Sequence, residues 1–386
     1  MYLDSHIKKE CCGCSACMSI CPKKTIILQQ DSEGFEYPFI ANEKDCIHCN
    51  RCRTVCPFSV SPHSTVLPQC YAGWLQDNES RRLSTSGGAF MAIADAAHRK
   101  GYSFFVGASY AENGQVNHIC VPFDNVTDLR GTKYVQSSLK EVFNQIKELL
   151  NDGNRVMFVG TPCQVAGLQN YLNSQQRQQV LTVSLVCHGV ASPAAFWKYC
   201  SEEKDSKHGS VKRIVFRDKK EQNKGVASCT TLVYEDGYGR SDTMNPYTTT
   251  FGLGLMHRPS CSVCPYATVY RDCDLTIGDF WGIESFHPNI TTTQLMAGIS
   301  LILVHTDKGK QIISNLQGFS IEETPIQWAT TAKQPQLSRP HPHNPLRDRF
   351  LSAVLSERGS FIKTAKKEIL RWRIKKKINR ILKAED

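Results

Sequence analysis

Two cysteine-rich stretches decide the fold of the N-terminal part of the chain: residues 11–22 read CCGCSACMSICP and residues 46–57 read CIHCNRCRTVCP. Both have the spacing C-x2-C-x2-C-x3-C-P. Three thiolates at steps of three residues enclose one 4Fe-4S cube, and the fourth cysteine, before the proline, reaches across to the other cube. The spacing therefore predicts two clusters, one held by Cys11, Cys14, Cys17 and Cys56 and the other by Cys46, Cys49, Cys52 and Cys21.

The alternative for these eight cysteines is a pair of structural zinc sites, but such sites normally take their ligands as two separated pairs. Cys12 fits the spacing poorly, and we interpret it as a bystander thiol or a substitute for Cys11. Between the motifs, Thr25–Leu28 and Phe35–Ile40 are typical of the strands of a short hairpin. This segment of about 57 residues resembles bacterial two-cluster ferredoxins.

The composition is that of a globular chain that uses its thiols on metals. The 386 residues are 41% hydrophobic and 21% charged, and they include 18 cysteines. Residues 1–20 show neither the apolar core nor the cleavage site of a secretory signal, and no apolar run approaches the roughly 18 residues of a membrane span. Thiols of cytosolic proteins bind metals more often than they form disulfides, so we expect a cytoplasmic protein.

Beyond a proline-containing linker, Ser59–Pro68, the pattern changes to alternating strands and helices. This alternation predicts an α/β domain with a mixed sheet, and the lack of G-x-G-x-x-G and Walker motifs disfavours a dinucleotide fold. We predict a ferredoxin-like α+β module at residues 1–66, the α/β domain at 67–345 and a basic helical tail at 346–386. The predicted helices are Phe90–Arg99, Ser138–Leu150, Val165–Leu172 and one from Asp307, and the predicted strands are Ser103–Ser109, Asn117–Phe123, Arg155–Val159, Val180–Val186, Val211–Phe216, Ser228–Tyr234, Leu275–Ile277 and Ile299–His305.

Four short segments of the larger domain carry reactive side chains. Residues 160–164, GTPCQ, follow a strand and open a helix, a position that lowers the pKa of the Cys163 thiol and suits an anion or a metal. Residues 187–189, CHG, end the next strand. Cys261 and Cys264 form a pair with chelate spacing, and residues 278–282 read GDFWG.

These segments, together with residues 84–88 (STSGG) and 131–137 (GTKYVQS), resemble the beta-subunit family of the coenzyme F420 (deazaflavin) hydrogenases and dehydrogenases. The six segments occur in family order between about residues 70 and 305. Relatives include ferredoxin-linked reductases such as the plant hydroxymethyl-chlorophyll reductase. The resemblance implies FAD and a 4Fe-4S cluster in this domain, with electrons passing between a chain of clusters and an organic acceptor.

The resemblance also implies a set of small and polar residues near the flavin: Ser86, Gly87, Gly88, Lys133, Tyr134, Gly160, Thr161 and Pro162. Glycines let backbone N–H groups reach a pyrophosphate, and a lysine offsets its charge. The alternative for Gly87-Gly88 is a turn that merely precedes a helix.

A third cluster would take Cys163, Cys187, Cys261 and Cys264, because four thiolates are required and strand-end loops meet at one end of an α/β sheet. Buried apolar cysteines and a four-cysteine zinc site remain open as alternatives, as does replacement of one ligand by Cys273. His188 either donates a hydrogen bond to flavin or substrate or satisfies a loop carbonyl, so catalytic residues stay unassigned. The remaining thiols are interpreted as core or surface residues: Cys70, Cys120, Cys200 and Cys229.

The net charge of +10 is concentrated in the tail, where residues 361–386 hold ten Lys or Arg against three acids. Apolar residues recur there at helical steps, with Trp372 near the centre: Leu370, Ile374, Ile378, Ile381 and Leu382. A basic amphipathic helix of this kind is typical of peripheral contact with an anionic membrane, here the inner face. A helix docked by its apolar stripe is the equal alternative, and we expect no nucleic-acid partner because no recognition motif accompanies the charge.

Together these features predict an iron–sulfur flavoprotein oxidoreductase that passes electrons between 4Fe-4S clusters and a small organic substrate through FAD. The expected partner is a redox protein, or a deazaflavin or ferredoxin electron donor. One alternative is a non-enzymatic electron-relay subunit of a larger, membrane-associated redox complex. Another is a regulatory redox sensor whose clusters report oxygen.

Overall fold

The computed structural model describes residues 1–60, 64–220 and 229–382, and within them the chain forms a mixed α/β fold. The described strands make a two-stranded hairpin, a three-stranded sheet and an eight-stranded mixed sheet. The predicted α/β fold with a mixed sheet is therefore confirmed.

The strands are short and the helices mostly compact. The strands are β1 Ile26–Gln30, β2 Glu36–Ile40, β3 Gln69–Leu75, β4 Phe104–Tyr110, β5 Val116–Pro122, β6 Val156–Gly160, β7 Val180–Leu185, β8 Val211–Asp218, β9 Cys229–Tyr234, β10 Gly239–Asp242, β11 Leu275–Asp279, β12 Ser300–Val304 and β13 Phe319–Thr324. The α-helices are α1 Tyr2–Ser5, α2 Ala16–Ile20, α3 Arg51–Thr54, α4 Asn78–Leu83, α5 Ala89–Arg99, α6 Val142–Asn151, α7 Pro162–Tyr171, α8 Ser174–Gln179, α9 Pro193–Glu202, α10 Pro246–Gly252, α11 Thr292–Ala297, α12 Asp307–Ile313, α13 Ile326–Ala329, α14 Arg347–Leu355 and α15 Phe361–Leu382.

The eight-stranded sheet has the order β13-β3-β12-β11-β7-β6-β4-β5. Its centre is parallel, since β4, β6, β7 and β11 pair in parallel, while β12, β3 and β13 add antiparallel strands at one side and β5 at the other. The central strands are buried on both faces, which explains apolar runs such as VMFV in β6 and LILV in β12. The carboxyl ends of parallel strands meet at one edge, so the loops after β6, β7 and β11 converge there.

A second core lies beside this sheet. The three-stranded sheet, in the order β10-β9-β8, packs with helices α9, α10, α14 and the start of α15. Phe196, Tyr247, Phe350 and Phe361 are among its fully buried members. This second core forms a further wall beside the converging loops, because its residues Tyr134 and Phe251 also face them.

Most predicted elements are present within one to three residues of their expected ends, including the hairpin that joins β1 and β2 in antiparallel register. The helix predicted at Ser138–Leu150 is wrong at its beginning, because it starts at Val142. Ser138 instead joins the sheet: its backbone N–H donates to Val116 O at 3.0 Å, and its hydroxyl donates to the Glu36 carboxylate at 2.8 Å. The strands β3, β10 and β13 were not predicted.

The tail helix α15 begins inside the second core. Phe361 and Ala365 are fully buried, and the Glu202 carboxylate accepts hydrogen bonds from the backbone N–H groups of Phe361 and Ile362 at 2.6 and 3.0 Å. A carboxylate at this position stabilises the helix N-terminus. The first turns of the helix are therefore part of the folded body.

Beyond these turns α15 leaves the core. Leu370, Ile374 and Ile378, predicted to form the apolar stripe, are 58%, 52% and 50% exposed. The alternative in which the apolar stripe docks the helix onto the body is thus wrong for these three residues. The side chains of Ile381 and Leu382 lie outside the described residues. In the described parts of the chain, no helix is both long and apolar enough to cross a membrane.

Candidate functional site

Both cysteine motifs fold into loops that curl around a centre. The residues on either side of the second cysteine have positive φ in each loop: Gly13 and Ser15 in the first, His48 and Asn50 in the second. Left-handed residues turn successive backbone N–H groups to one side and form a concavity that suits an anion. This backbone shape suits a negatively charged cluster.

The inner set, which we define as Cys11, Cys14, Cys17 and Cys56, is brought together by this folding. Burial raises the pKa of Cys17, and the neighbouring Cys11 and Cys56 raise it further. Cys14 likewise lies beside Cys17 and Cys56. The structure therefore brings the fourth cysteine of the second motif within electrostatic reach of the first three of the first motif, and their role as ligands stays a prediction.

The outer set, defined as Cys21, Cys46, Cys49 and Cys52, lies toward solvent. Cys49 is exposed and the other three are half-buried. Burial raises the pKa of Cys52, and the neighbouring Cys49 contributes in the same direction. Ile47 beside this set is 56% exposed. The outer set is thus the one that a second protein can approach.

The inner set is packed against the larger domain. Arg258, buried in the body, donates from Nε to Cys11 O at 2.7 Å and from Nη2 to Glu36 O at 2.8 Å. The Tyr266 hydroxyl donates to Pro57 O at 2.9 Å. A Cβ atom built on Gly167 of helix α7 would lie 2.9 Å from Cys14 Sγ, so the loop touches the helix backbone. The ferredoxin-like module and the body share one continuous interior at this contact.

The body set, defined as Cys163, Cys187, Cys261 and Cys264, gathers where the strand-end loops converge. Burial raises the pKa of Cys187 to about 12, with Cys261 and Cys163 as the next causes. Burial raises the pKa of Cys264 to about 12 as well, followed by Cys163 and Cys187. The buried Arg271 guanidinium lies close enough to influence three of these thiols. The four thiols therefore lie within electrostatic reach of one another, with one cation near three of them.

The prediction that the helix N-terminus lowers the pKa of Cys163 is wrong for the free thiol. A hydrogen bond with the Cys12 thiol raises the pKa of Cys163 well above its ordinary value, and burial raises it further. The Thr161 hydroxyl, 3.3 Å from Cys163 Sγ, acts in the opposite direction but less strongly. Contact with Cys12 and loss of solvent therefore outweigh the helix dipole.

Among the described residues, no group of three or more His, Cys, Asp or Glu side chains converges closely enough to hold a single metal ion. The thiol sets nevertheless lie within electrostatic reach of each other's members. A cube distributes four thiolates over four irons, so its ligands stand farther apart than those of one ion. Cys273, the alternative ligand, contacts the Thr276 hydroxyl at 3.5 Å.

A large cavity of about 570 Å³ opens at the same edge of the sheet. It is bounded by the ends of β6, β7 and β11 on one side and by the second core on the other. Cys187 belongs both to its wall and to the body set. Tyr134 and Phe251 stack at a ring distance of 4.5 Å and form a flat aromatic part of the wall.

The residues predicted near the flavin divide into two groups. Five line the large cavity: Ser86, Lys133, Tyr134, Gly160 and Thr161. Three lie behind the wall: Gly87, Gly88 and Pro162. Gly87 donates its N–H to Ser300 Oγ at 2.9 Å, Gly88 begins helix α5 with φ +87°, and Pro162 is the first residue of α7. Gly87, Gly88 and Pro162 therefore shape the backbone next to the residues that line the cavity.

A buried polar network that the sequence did not reveal holds the GTPCQ segment. His118 lies 3.1 Å from Val159 O and 2.9 Å from the Ser137 hydroxyl, and Gln164 donates to that hydroxyl at 3.3 Å. Gln164 also accepts from the Thr161 N–H at 2.9 Å, closing the first turn of α7. Burial lowers the pKa of His118 to about 4, so the ring is neutral and orients its neighbours.

Arg217 is a second residue missed by the sequence patterns. It has a φ of +58° at an irregularity of β8, and this conformation directs its side chain toward the cavity. Its guanidinium donates to both carboxylate oxygens of Asp279 at 2.9 and 3.1 Å and lies 4.7 Å from the Trp281 ring centre. Neither the bulge nor this pairing leaves a local signal in the sequence.

His188 lines the cavity next to Cys187. Gln336 approaches its Nδ1 at 2.6 Å and Gly252 O lies 3.4 Å from its Nε2. A loop carbonyl therefore lies near His188, as one of the two predicted roles requires, but the contact with Gln336 is shorter.

Comparison with known proteins shows what two segments of the chain are similar to. Residues 153–327 match the family model for the C-terminal part of the beta subunit of the coenzyme F420 hydrogenases and dehydrogenases. Residues 10–60 match a 4Fe-4S dicluster domain, so the resemblances stated from the sequence are both confirmed. The chain therefore carries one segment similar to a 4Fe-4S dicluster domain and another similar to a hydrogenase and dehydrogenase family.

The chain is also similar to one chain of the F420-reducing nickel–iron hydrogenase complex from Methanosarcina barkeri, at 17% identity and a TM-score of 0.46. The similarity covers 79% of this chain and 92% of that chain. No curated protein matches the chain.

The F420 beta-subunit segment contains the body set, the GTPCQ turn and Asp279, all within residues 153–327. Ser86, Lys133 and Tyr134 precede that segment. They reach the same cavity only through the fold.

Proposed function

We propose that this protein is an iron–sulfur flavoprotein oxidoreductase that passes electrons between 4Fe-4S clusters and an organic acceptor or donor through FAD. The observation that carries the proposal is the position of Cys187, which lies among the thiols of the body set and also lines the large cavity. An electron held at the body set is therefore adjacent to whatever the cavity binds.

The thiol sets fit iron–sulfur clusters by their chemistry. Each set offers four thiols, one for each iron of a cube. Arg258 places Nη2 3.5 Å from Cys11 Sγ, and Arg271 lies beside the body set. Both cations would offset the negative charge that thiolates and sulfide bring into a buried site. Inner set, body set and cavity then form one path from the surface inward.

The cavity fits FAD in size and polarity. Its volume of about 570 Å³ lies within the ordinary range for small-molecule and cofactor sites. Lys133 and the ion pair of Arg217 with Asp279 line its wall, and so does Thr161 at the N-terminus of the ten-residue helix α7. A cationic side chain and the positive end of a helix dipole both favour a pyrophosphate. When bound, FAD supplies the exchange between one-electron and two-electron chemistry.

The residues of the chain have separate tasks in this proposal. Lys133 and Arg217 bind negative charge, and the stacked pair of Tyr134 and Phe251 orients a flat ring. His118 stays neutral and fixes the GTPCQ turn through Ser137.

The cavity supports the enzyme over the rival functions. A relay protein or an oxygen sensor needs clusters but no space for an organic molecule. The space beside Cys187 favours the enzyme. We propose a small organic substrate and, at the exposed outer set, a redox partner protein, a ferredoxin or a deazaflavin donor. The exposed residues of α15 add contact with the inner face of a membrane in a cytoplasmic protein.

The test is the cofactor content of protein purified without air. We expect about twelve irons and as many sulfides for each chain, with one FAD released on denaturation. The Cys187→Ser variant should lose about four irons and keep the other eight. About eight irons without flavin in the wild type would support the relay function, and zinc in place of iron would overturn the proposal.

A further inference from the structure

A groove between helices α14 and α15, which we call the tail groove, carries polar groups that the thiol sets and the large cavity do not use. Its volume is about 210 Å³. Sites that enclose a whole small molecule span roughly 300–1,000 Å³, so the tail groove suits a small polar group. Three cations line it: Arg349 of α14 and Lys363 and Lys367 of α15. All three are exposed, and none forms an ion pair with another described residue.

Glu368 adds a buried carboxylate to the same groove. The residue is 9% exposed, and its Oε1 accepts a hydrogen bond from Arg371 at 2.6 Å. Its Oε2 is buried and has no hydrogen-bond partner among the described residues. Because a buried oxygen without a donor costs free energy, the position favours a ligand that brings a hydrogen-bond donor. The tail groove therefore combines cations at its surface with an unsatisfied acceptor below them.

The tail groove continues onto the exposed part of α15. Positions 363, 367, 370, 374 and 378 follow one another at steps of three or four residues, so their side chains share one face of the helix. This face begins with two lysines and goes on with three apolar residues that are half exposed or more: Lys363, Lys367, Leu370, Ile374 and Ile378. Basic and apolar residues arranged in this way suit the boundary between lipid headgroups and acyl chains. A molecule bound in the groove can thus have an apolar part beside the apolar stripe.

We propose that the tail groove binds an anionic membrane lipid whose headgroup carries a phosphate and a primary ammonium group, the chemistry of phosphatidylserine. The phosphate lies against the three cations, the ammonium group donates to Glu368 Oε2, and the acyl chains follow the apolar stripe. Charge-assisted hydrogen bonds of this kind are stronger than neutral ones. The inference rests on the membrane contact proposed for α15 and is independent of the clusters and the flavin.

The experiment compares flotation of the full chain with two kinds of vesicle, which contain phosphatidylserine or phosphatidylglycerol at equal mole fraction in phosphatidylcholine. Both anionic lipids carry a single net negative charge, but only phosphatidylserine has an ammonium group. Attraction between charges alone gives equal binding. We expect the protein to bind the phosphatidylserine vesicles roughly threefold to tenfold more tightly, because a hydrogen bond between charged groups is added.

Glu368→Gln should abolish this preference, since the amide no longer offers a charged acceptor to the ammonium group. Glu357→Gln is the matched control, because it removes the same charge from an exposed position outside the groove. It should keep the preference. Urea unfolding of both variants checks that the fold is unchanged.

The lysines are tested by a second pair of variants. Lys363→Gln combined with Lys367→Gln should weaken binding to phosphatidylserine vesicles. Lys366→Gln combined with Lys375→Gln removes the same charge from exposed positions of α15 outside the groove and should weaken it less.

Three outcomes would overturn the inference. Equal binding of the wild type to both kinds of vesicle would assign the affinity to charge alone. Binding of soluble O-phosphoserine as tight as that of the vesicles would make a free phosphorylated amine, and not a lipid, the ligand. Absence of flotation would overturn the membrane contact as well, whereas the iron and FAD content tests the proposed electron transfer separately.

Discussion

At the scale of single residues, burial decides the charge of Lys133. Its ammonium group donates to the carbonyls of Leu129 and Arg130 at 3.1 and 3.0 Å. Burial, and then the Arg213 guanidinium, lower the pKa of Lys133 to about 7, while Asp128 acts against them. A lysine in this state gains or loses its proton near neutral pH.

This state predicts pH-dependent binding of the flavin. Below about pH 7 Lys133 is charged and attracts a phosphate, whereas above it the side chain is neutral and must take up a proton when the anion binds. FAD affinity should therefore fall, by roughly tenfold, between about pH 6 and pH 8.5. Equilibrium titration of FAD, followed by quenching of its fluorescence, measures this fall.

The Lys133→Met variant should bind FAD weakly and show a much flatter pH profile. Lys100→Met, at an exposed position, should keep the wild-type profile. An unchanged profile in Lys133→Met would show that another group titrates.

At the scale of elements, helix α7 depends on a glycine at its contact with the cysteine loop. Alanine is normally favoured over glycine inside a helix by about 1 kcal/mol. At Gly167 we expect the opposite, because the added Cβ would lie 2.9 Å from Cys14 Sγ and 3.0 Å from its Cβ. Gly167→Ala should lose iron from the inner cluster and unfold more easily, by about 1–3 kcal/mol, in urea.

Gly252→Ala is the control for this prediction. Gly252 ends helix α10, and nothing lies within 4 Å of a Cβ built there. Its iron content and stability should match the wild type. Equal behaviour of the two variants would contradict the close contact between α7 and the loop.

The exposed apolar and basic residues of helix α15 lead us to expect contact with a membrane. Its exposed stretch carries Leu370, Trp372, Ile374 and Ile378 together with lysines, one of which, Lys376, lies 4.9 Å from the Trp372 ring. Each cation near an anionic bilayer contributes about 1 kcal/mol at low salt. The protein should float with phosphatidylserine vesicles but remain unbound with purely zwitterionic ones.

Replacing Trp372, Ile374 and Ile378 by serine should abolish this flotation without changing the iron content. These side chains are 40%, 52% and 50% exposed, so the fold does not need them. Binding that survives the triple variant would assign the affinity to charge alone.

At the scale of the whole molecule, Arg258 joins the ferredoxin-like module to the body. Besides its hydrogen bonds, its guanidinium lies 4.2 Å from the Tyr37 ring centre. Arg258→Met would leave Cys11 O, Glu36 O and Gln136 buried without their partner. The cost should be about 3 kcal/mol or more of unfolding free energy, because each orphaned group costs about 1–3 kcal/mol.

Urea unfolding measures this loss. Arg349→Met, at an exposed position of α14, should behave like the wild type. A variant at Arg258 that is as stable as this control would show that other contacts hold the module in place.

The sequence predicted those features that depend on neighbouring residues, and it missed those that depend on distant ones. The hairpin β1–β2 and most body strands were visible because alternation and buried apolar runs are local patterns. The strands β3 and β13 were missed, since each is stabilised by pairing with a distant partner. The beginning of α6 was misplaced because Ser138 binds Val116 and Glu36 of other segments.

By itself the sequence determined the cysteine spacing and the short segments of the F420 beta-subunit family, and both comparisons agree. These are properties of consecutive residues. Only the tertiary structure decided that Arg217 faces Asp279 and that Cys187 borders a cavity. Such contacts join residues far apart in the chain, and close packing of the two cores, which no short window of sequence contains, brings them together.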